Sequence, residues 1–347
     1  MKTCYLHVGF HKTASTSFQQ ACGKNREQLN KAGFYYPKFA YPAQKGNIWN
    51  HTGPVSSIYK SGQVKNHSKN RNKDTEKRIR PINNQRLYEA FQQDKHLLLS
   101  GEGLSCLPRD AYLRLIDDLG LFGYNIQVLA LVRSPYSFAC SAIQETIKGG
   151  RYNRLIGLNH SHKVKPGTPK ALPNRTEAIA TLKGVFGSSI QFQPYSVALA
   201  HPNGPVGYCF EQFGIDTSNF AASNGTIVHN QSLNNLQTRA LNLINREGRR
   251  QTGKKKFKKR ELLLIRKGLE DLNSERFLLT EQEFVRIANQ YEQMLHELEG
   301  LLGSSFTTEE LRFSTPVTDL SQVLTALARC SALLANNVSN REKRIKR

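Results

Sequence analysis

Apolar and polar positions alternate between two periods along this chain. Residues 3–8 are short and apolar-rich and stop at Gly9, which predicts a strand running into a tight loop. Residues 15–32 then place Phe18, Ala21, Cys22 and Leu29 near helical spacing, with Gly33 as terminator. After residues 34–80, which hold Pro37, Pro42 and Pro54 and no sustained period, order returns. A helix is expected over 84–93, a strand over 96–100, a helix over 109–119, and a strand over 126–132. That last run is apolar almost without interruption, as a strand buried on both faces must be. Helices over 136–148 and 174–186, a strand over 190–193, and helices over 233–246 and 281–302 follow. Strands alternating with helices imply crossover connections, hence an α/β fold with a parallel sheet flanked by helices. The expected organisation is one domain over 1–303, with 34–80 as a loop-rich insertion, and a helical extension with a basic tail over 304–347.

Charge changes this picture in one respect. The 347-residue chain carries a formal net charge of +22, and residues 60–80, 246–260 and 341–347 together supply +18 of it. The rest of the body is nearly balanced. Such runs raise the local concentration of polyanions, although the aromatic residues that stack nucleic-acid bases are not interleaved with them, Phe257 excepted. Nucleic acid is therefore not the expected partner. No apolar run approaches the roughly 20 residues needed to span a bilayer, and the chain begins without a signal-peptide pattern, so a cytoplasmic location is expected. The six cysteines are scattered without a Cys-x-x-Cys pair, which predicts buried, reduced thiols and no zinc site.

The candidate chemistry lies between the first strand and the first helix. Gly9-Phe10-His11-Lys12-Thr13-Ala14-Ser15-Thr16-Ser17 runs into a helix start, where unpaired backbone N–H groups and the positive dipole end converge and favour an anion. Lys12 adds a mobile charge, and Thr13, Ser15, Thr16 and Ser17 add hydroxyls. The loop of nucleotide triphosphatases requires a glycine before its lysine, where this chain has His11. A second polar group, Arg133, follows the expected 126–132 strand, with Ser141 eight residues further on.

Gly9, Lys12, Thr13, Ser15 and Thr16 match the 5′-phosphosulfate loop of the sulfotransferases that use 3′-phosphoadenosine 5′-phosphosulfate (PAPS), which the segment resembles. Ala14 stands where that family usually has glycine. Arg133 and Ser141 resemble the family's 3′-phosphate element, and the likeness continues more weakly through Phe192 to Tyr195, Cys209 to Ile215 and Asn230 to Leu233, as in bacterial members acting on carbohydrates. The resemblance implies a P-loop-like sulfotransferase fold and transfer of a sulfuryl group from PAPS, without a metal, to a hydroxyl or amine of an acceptor. The expected acceptor is a carbohydrate, neutral or anionic. It also implies donor binding by Gly9, Lys12, Thr13, Ala14, Ser15, Thr16, Ser17, Arg133 and Ser141. Lys12 would stabilise the leaving oxygen. Glu102, just past the 96–100 strand, is the first candidate for general base and His11 the second. The competing functions are a nucleotide-dependent kinase and a non-enzymatic polyanion-binding protein.

Overall fold

The structure is a computed structural model that describes residues 1–41, 48–60, 73–158, 175–220, 232–252, 257, 259–317 and 320–345. The chain forms two compact units. The first comprises Met1–Ser134, Asn174–His229 and Glu297–Thr308, and the second Pro135–Pro173, Asn230–His296 and Glu309–Arg347. These units interleave along the chain.

The first unit is built on five strands, β1 (Lys2–Val8), β2 (Phe34–Tyr35), β3 (His96–Gly101), β4 (Tyr124–Val132) and β5 (Ile190–Pro194). They lie in the order β2-β3-β1-β4-β5, and every pairing is parallel. Cys4, Leu6 and Val8 of β1 point to one face, with Leu97, Leu99, Val128, Ala130 and Val132, into a core closed by the helices Thr52–Tyr59, Lys73–Phe91, Arg109–Leu121 and Thr176–Phe186. The alternate residues Leu98, Leu129 and Leu131 face the helices Ser15–Lys24 and Gly204–Gln212, through Phe18, Cys22, Cys209 and Phe210. Both faces are thus covered, which explains the unbroken apolar runs of β3 and β4. The chain leaves β1 by one face and reaches β4 from β3 by the other, so the carboxyl ends of β1, β3 and β4 flank a point of topological reversal, where open α/β sheets bind ligands.

The second unit is helical. Helices Pro135–Lys148, Asn235–Thr252, Lys259–Gly268 and Ser321–Ile345 bury Ile143, Ile147, Leu241, Ile265, Leu269 and Val323 in a core of their own. Arg239 is also buried there. It forms a paired contact with Glu283 (2.7 and 3.0 Å) and donates to the Gly157 carbonyl, so its charge is compensated inside the unit.

Several elements depart from the sequence expectation. The helix expected over 15–32 is two helices, Ser15–Lys24 and Arg26–Lys31. Asn25 breaks it by leaving helical geometry and turning its side-chain amide onto the Ala21 carbonyl at 3.0 Å. The insertion expected over 34–80 contributes β2 at the sheet edge and, through Val55 and Tyr59, part of the core. The helix expected to begin at 84 begins at Lys73, with Pro81 inside it. The helix expected over 281–302 is interrupted between Val285 and Ala288. Five cysteines are buried as expected, but Cys106 is exposed. Among the described residues no helix is long and apolar enough to cross a membrane.

Candidate active site

The loop after β1 is fixed by contacts that leave little choice of residue. The Gly9 amide donates to the Gly101 carbonyl at 3.2 Å, tying the loop to the end of β3. A side chain at Gly9 would put its Cβ 2.2 Å from Ser15 Oγ and 3.4 Å from the Glu102 backbone, so only glycine fits. The Phe10 carbonyl accepts from Thr13 Oγ1 at 2.6 Å and from Ser15 Oγ at 3.5 Å. Lys12 (φ 69°) and Ala14 (φ 59°) are the non-glycine residues of positive φ among the described residues. For an L-residue the left-handed form costs about 1–2 kcal/mol. Ala14 thus holds, at a cost, the backbone shape that a glycine would adopt freely.

Alternating backbone hand turns successive amides toward one point and makes an anion-binding hollow. The following helix, Ser15–Lys24, has no side-chain cap, and its first intrahelical bond runs from the Phe18 amide to the Ala14 carbonyl at 3.1 Å. The amides of Ser15, Thr16 and Ser17 therefore have no partner within the helix. The four hydroxyls of the loop differ in their partners. Thr13 and Ser15 are buried, and their hydroxyls brace the loop by bonding Phe10. Thr16 donates instead to Glu102, and Ser17 is half-buried in the first helical turn.

Glu102 opens the 3₁₀ turn that follows β3. Its Oε2 lies 3.2 Å from His11 Nδ1, and its Oε1 accepts from Thr16 Oγ1 at 3.3 Å. Burial by itself would raise the Glu102 pKa, but the hydrogen bond and charge of His11, the Thr16 bond and the Lys12 charge outweigh it and hold the carboxyl below the ordinary range. The His11 side chain is 56% exposed against 26% for Glu102, so the imidazole opens to solvent while the carboxylate anchors it.

Arg133 donates from Nη1 to the Lys12 carbonyl at 3.1 Å, and its guanidinium lies over the Tyr195 ring at 5.2 Å. It is thus joined to the loop backbone from the end of β4. Ser141 belongs to the second unit, as a half-buried residue in the helix Pro135–Lys148. Asn230 and Gln231 lie outside the described residues, as does Asn174.

Two features escaped the sequence. Arg175 lies 5.6 Å over the Phe10 ring; burial lowers its pKa, while Cys106 and Glu102 pull it back up. It places a further cation against the loop residue Phe10 and within the field of Glu102. Beneath the loop, Ser100 sits between two buried histidines. His7 Nδ1 is 2.8 Å from Ser100 Oγ, and the Ser100 amide donates to His51 Nδ1 at 3.3 Å. Burial pushes His7 down to about 4, partly countered by Glu102, and burial with Arg26 pushes His51 down to about 3, partly countered by its bond to the Pro37 carbonyl. Both rings are neutral at physiological pH. His7 lies in an apolar strand and His51 between Asn50 and Thr52, and neither setting gives a sequence signal of this kind.

No protein-family model matches the sequence, and no curated protein matches it. Among solved structures, the chain is similar to a sulfotransferase from Alicyclobacillus acidocaldarius, with 12% identity over 89% of this chain and 98% of that one, at a TM-score of 0.42. The α/β assignment rests on the strand order and register themselves.

Proposed function

We propose that the chain is a PAPS-dependent sulfotransferase acting on a carbohydrate hydroxyl or amine. The observation that carries this reading is the loop Gly9–Ser17. Its left-handed Lys12 and Ala14 and its uncapped helix start offer backbone amides to an anion, and Arg133 is bonded to the same backbone. In the proposed reaction the acceptor oxygen or nitrogen attacks sulfur in line. A new bond to sulfur forms as the bridging S–O bond breaks, and that electron pair leaves on the 5′-phosphate of adenosine 3′,5′-bisphosphate. Lys12 stabilises the charge growing on the bridging oxygen, and the acceptor's proton passes to a base.

For that base the geometry favours His11 over Glu102. A carboxyl held below its ordinary pKa is a weaker base, and Glu102 already accepts from both Thr16 and His11. With His11 Nδ1 turned to that carboxylate, Nε2 is the ring nitrogen that takes the proton, and Glu102 is a positioning residue. Arg133 and Arg175 supply positive potential for the donor's phosphates, and the reading calls for no metal. The basic run at Lys254–Lys256 lies outside the described residues. Its proposed part is to recruit an anionic acceptor, which salt would weaken.

Calorimetry with adenosine 3′,5′-bisphosphate, with and without chelator, tests the reading. Tight binding that ignores the chelator is expected. Preference for ATP·Mg²⁺ would replace the sulfotransferase with a kinase.

A further inference from the structure

At the opposite edge of the sheet, the amino ends of β1 and β4 border a cavity of about 330 Å³. Thr3 lies six residues before Gly9 along β1, so at roughly 3.3 Å per residue the two ends of that strand are about 20 Å apart. The cavity arises from the sheet's register. β5 pairs with β4 only from Val128 onward, which leaves the Asn125–Gln127 stretch with β1 beside it and no strand on its other side among the described residues. Its wall is made of Asn125, Gln127, Ser188, Ser189, Gln191 and Gln212. Apart from Gln212, which is half-buried, these side chains are exposed. Beside them Ile126 is half-buried and Phe213 is buried, so the accessible lining is mainly polar.

None of the lining residues is charged, in a chain whose net charge is +22. A cavity for a phosphate, sulfate or carboxylate would use the cations that this protein has in excess. Neutral amides and hydroxyls instead present donors and acceptors together, the pattern that vicinal hydroxyl groups match. The volume is at the lower end of the range for small-molecule pockets, about 300–1,000 Å³, which limits the occupant to a small unit. A peptide strand added to β4 would find only the four residues Tyr124–Gln127 of free edge, fewer than the five or six of a usual strand.

We infer that this cavity is a binding site for a neutral sugar unit, separate from the Gly9–Ser17 loop. It does not depend on the proposed transferase activity, and its test requires no turnover. Maltotetraose, cellotetraose and chitotetraose, all uncharged, are titrated against the whole protein by calorimetry. At least one of them binds saturably with a Kd at or below about 1 mM, with the same affinity in low salt and in about 0.5 M salt, because no ion pair is made. The sugar binds equally well in the presence of adenosine 3′,5′-bisphosphate. The exposed pair Gln127→Ala and Gln191→Ala, made together, weakens it at least about tenfold while the melting temperature is unchanged. Ser189→Tyr, which adds a bulky side chain to the lining, does the same. Absence of binding by all three sugars overturns the inference. So does binding that survives both variants, that is displaced by the bisphosphate, or that is exceeded by adenosine or by an extended peptide.

Discussion

The two edges of the sheet in the first unit are made by the same strands and have opposite chemistry. At the carboxyl edge, His11, Lys12, Glu102, Arg133 and Arg175 gather around one loop. At the amino edge, the cavity wall contains amides and hydroxyls and no ionisable group. The backbone explains the first of these. Where β1 gives way to a helix, amides without helical partners face outward together, and charged side chains either share an anion with them or balance one another. Where strands begin, no such set of donors exists, and neutral side chains suffice to meet solvent. Excess positive charge in the chain as a whole therefore says little about any one site, and its placement relative to strand direction says more.

The sharpest way to break this contrast is to alter the carboxyl edge and measure turnover. His11→Ala should lower kcat by about 10²- to 10⁴-fold, the usual contribution of a general base, with bisphosphate affinity nearly unchanged. Glu102→Gln should cost less, because it misorients His11 without removing the base. If the Glu102 variant loses most of the activity and the His11 variant little, the carboxylate is the base after all. The amino-edge variants should leave kcat with a small acceptor unaffected, and a loss there would show that the edges are not independent.

A smaller effect is expected at Arg133. A hydrogen bond to a charged group contributes about 1.5–3 kcal/mol, or roughly 10- to 100-fold in affinity. Arg133→Ala should therefore weaken adenosine 3′,5′-bisphosphate by that factor. Since Arg133 also holds the Lys12 carbonyl, 5′-AMP should weaken as well, though less. Equal losses for the two ligands, measured by calorimetry, would assign Arg133 to loop support alone.

Acid should act more gradually and on the fold. His7 and His51 have folded pKa values of about 4 and about 3, below the unfolded value of 6.5. The unfolded chain thus binds more protons as pH falls below 6.5, and stability is lost down to those folded values, by up to about 1.4 kcal/mol per pH unit for each ring. Denaturant midpoints measured from pH 7 to pH 4 should fall accordingly, and His7→Gln should flatten the slope. An unchanged slope would remove His7 from the account.

Much of this architecture was legible because its signals are local. β1, β3 and β4 are apolar runs bounded by glycine or proline, and Gly9, Lys12 and Arg133 sit where those runs end. What was not legible depends on partners far along the chain. β2 is only two residues long and has no period to read; it is a strand because β3 is beside it. The start of helix Lys73–Phe91 falls in a charged run ahead of a proline, both of which argue against a helix locally. The inward turn of Thr13 and Ser15 follows from the position of the Phe10 carbonyl, which residue type alone does not give. Arg175 reaches the site from more than 150 residues beyond Phe10, and no spacing in the sequence announces it.

The buried imidazoles on either side of Ser100 have a practical use as internal reporters. Of the ten histidines in the chain, His11 is open to water, whereas His7 and His51 are enclosed on neighbouring elements under the loop. A reagent that acylates imidazole reaches the first directly from solvent and the other two only when the sheet opens. Their labelling, residue by residue in a mass spectrometer, is a clock for the opening of the floor on which the loop rests.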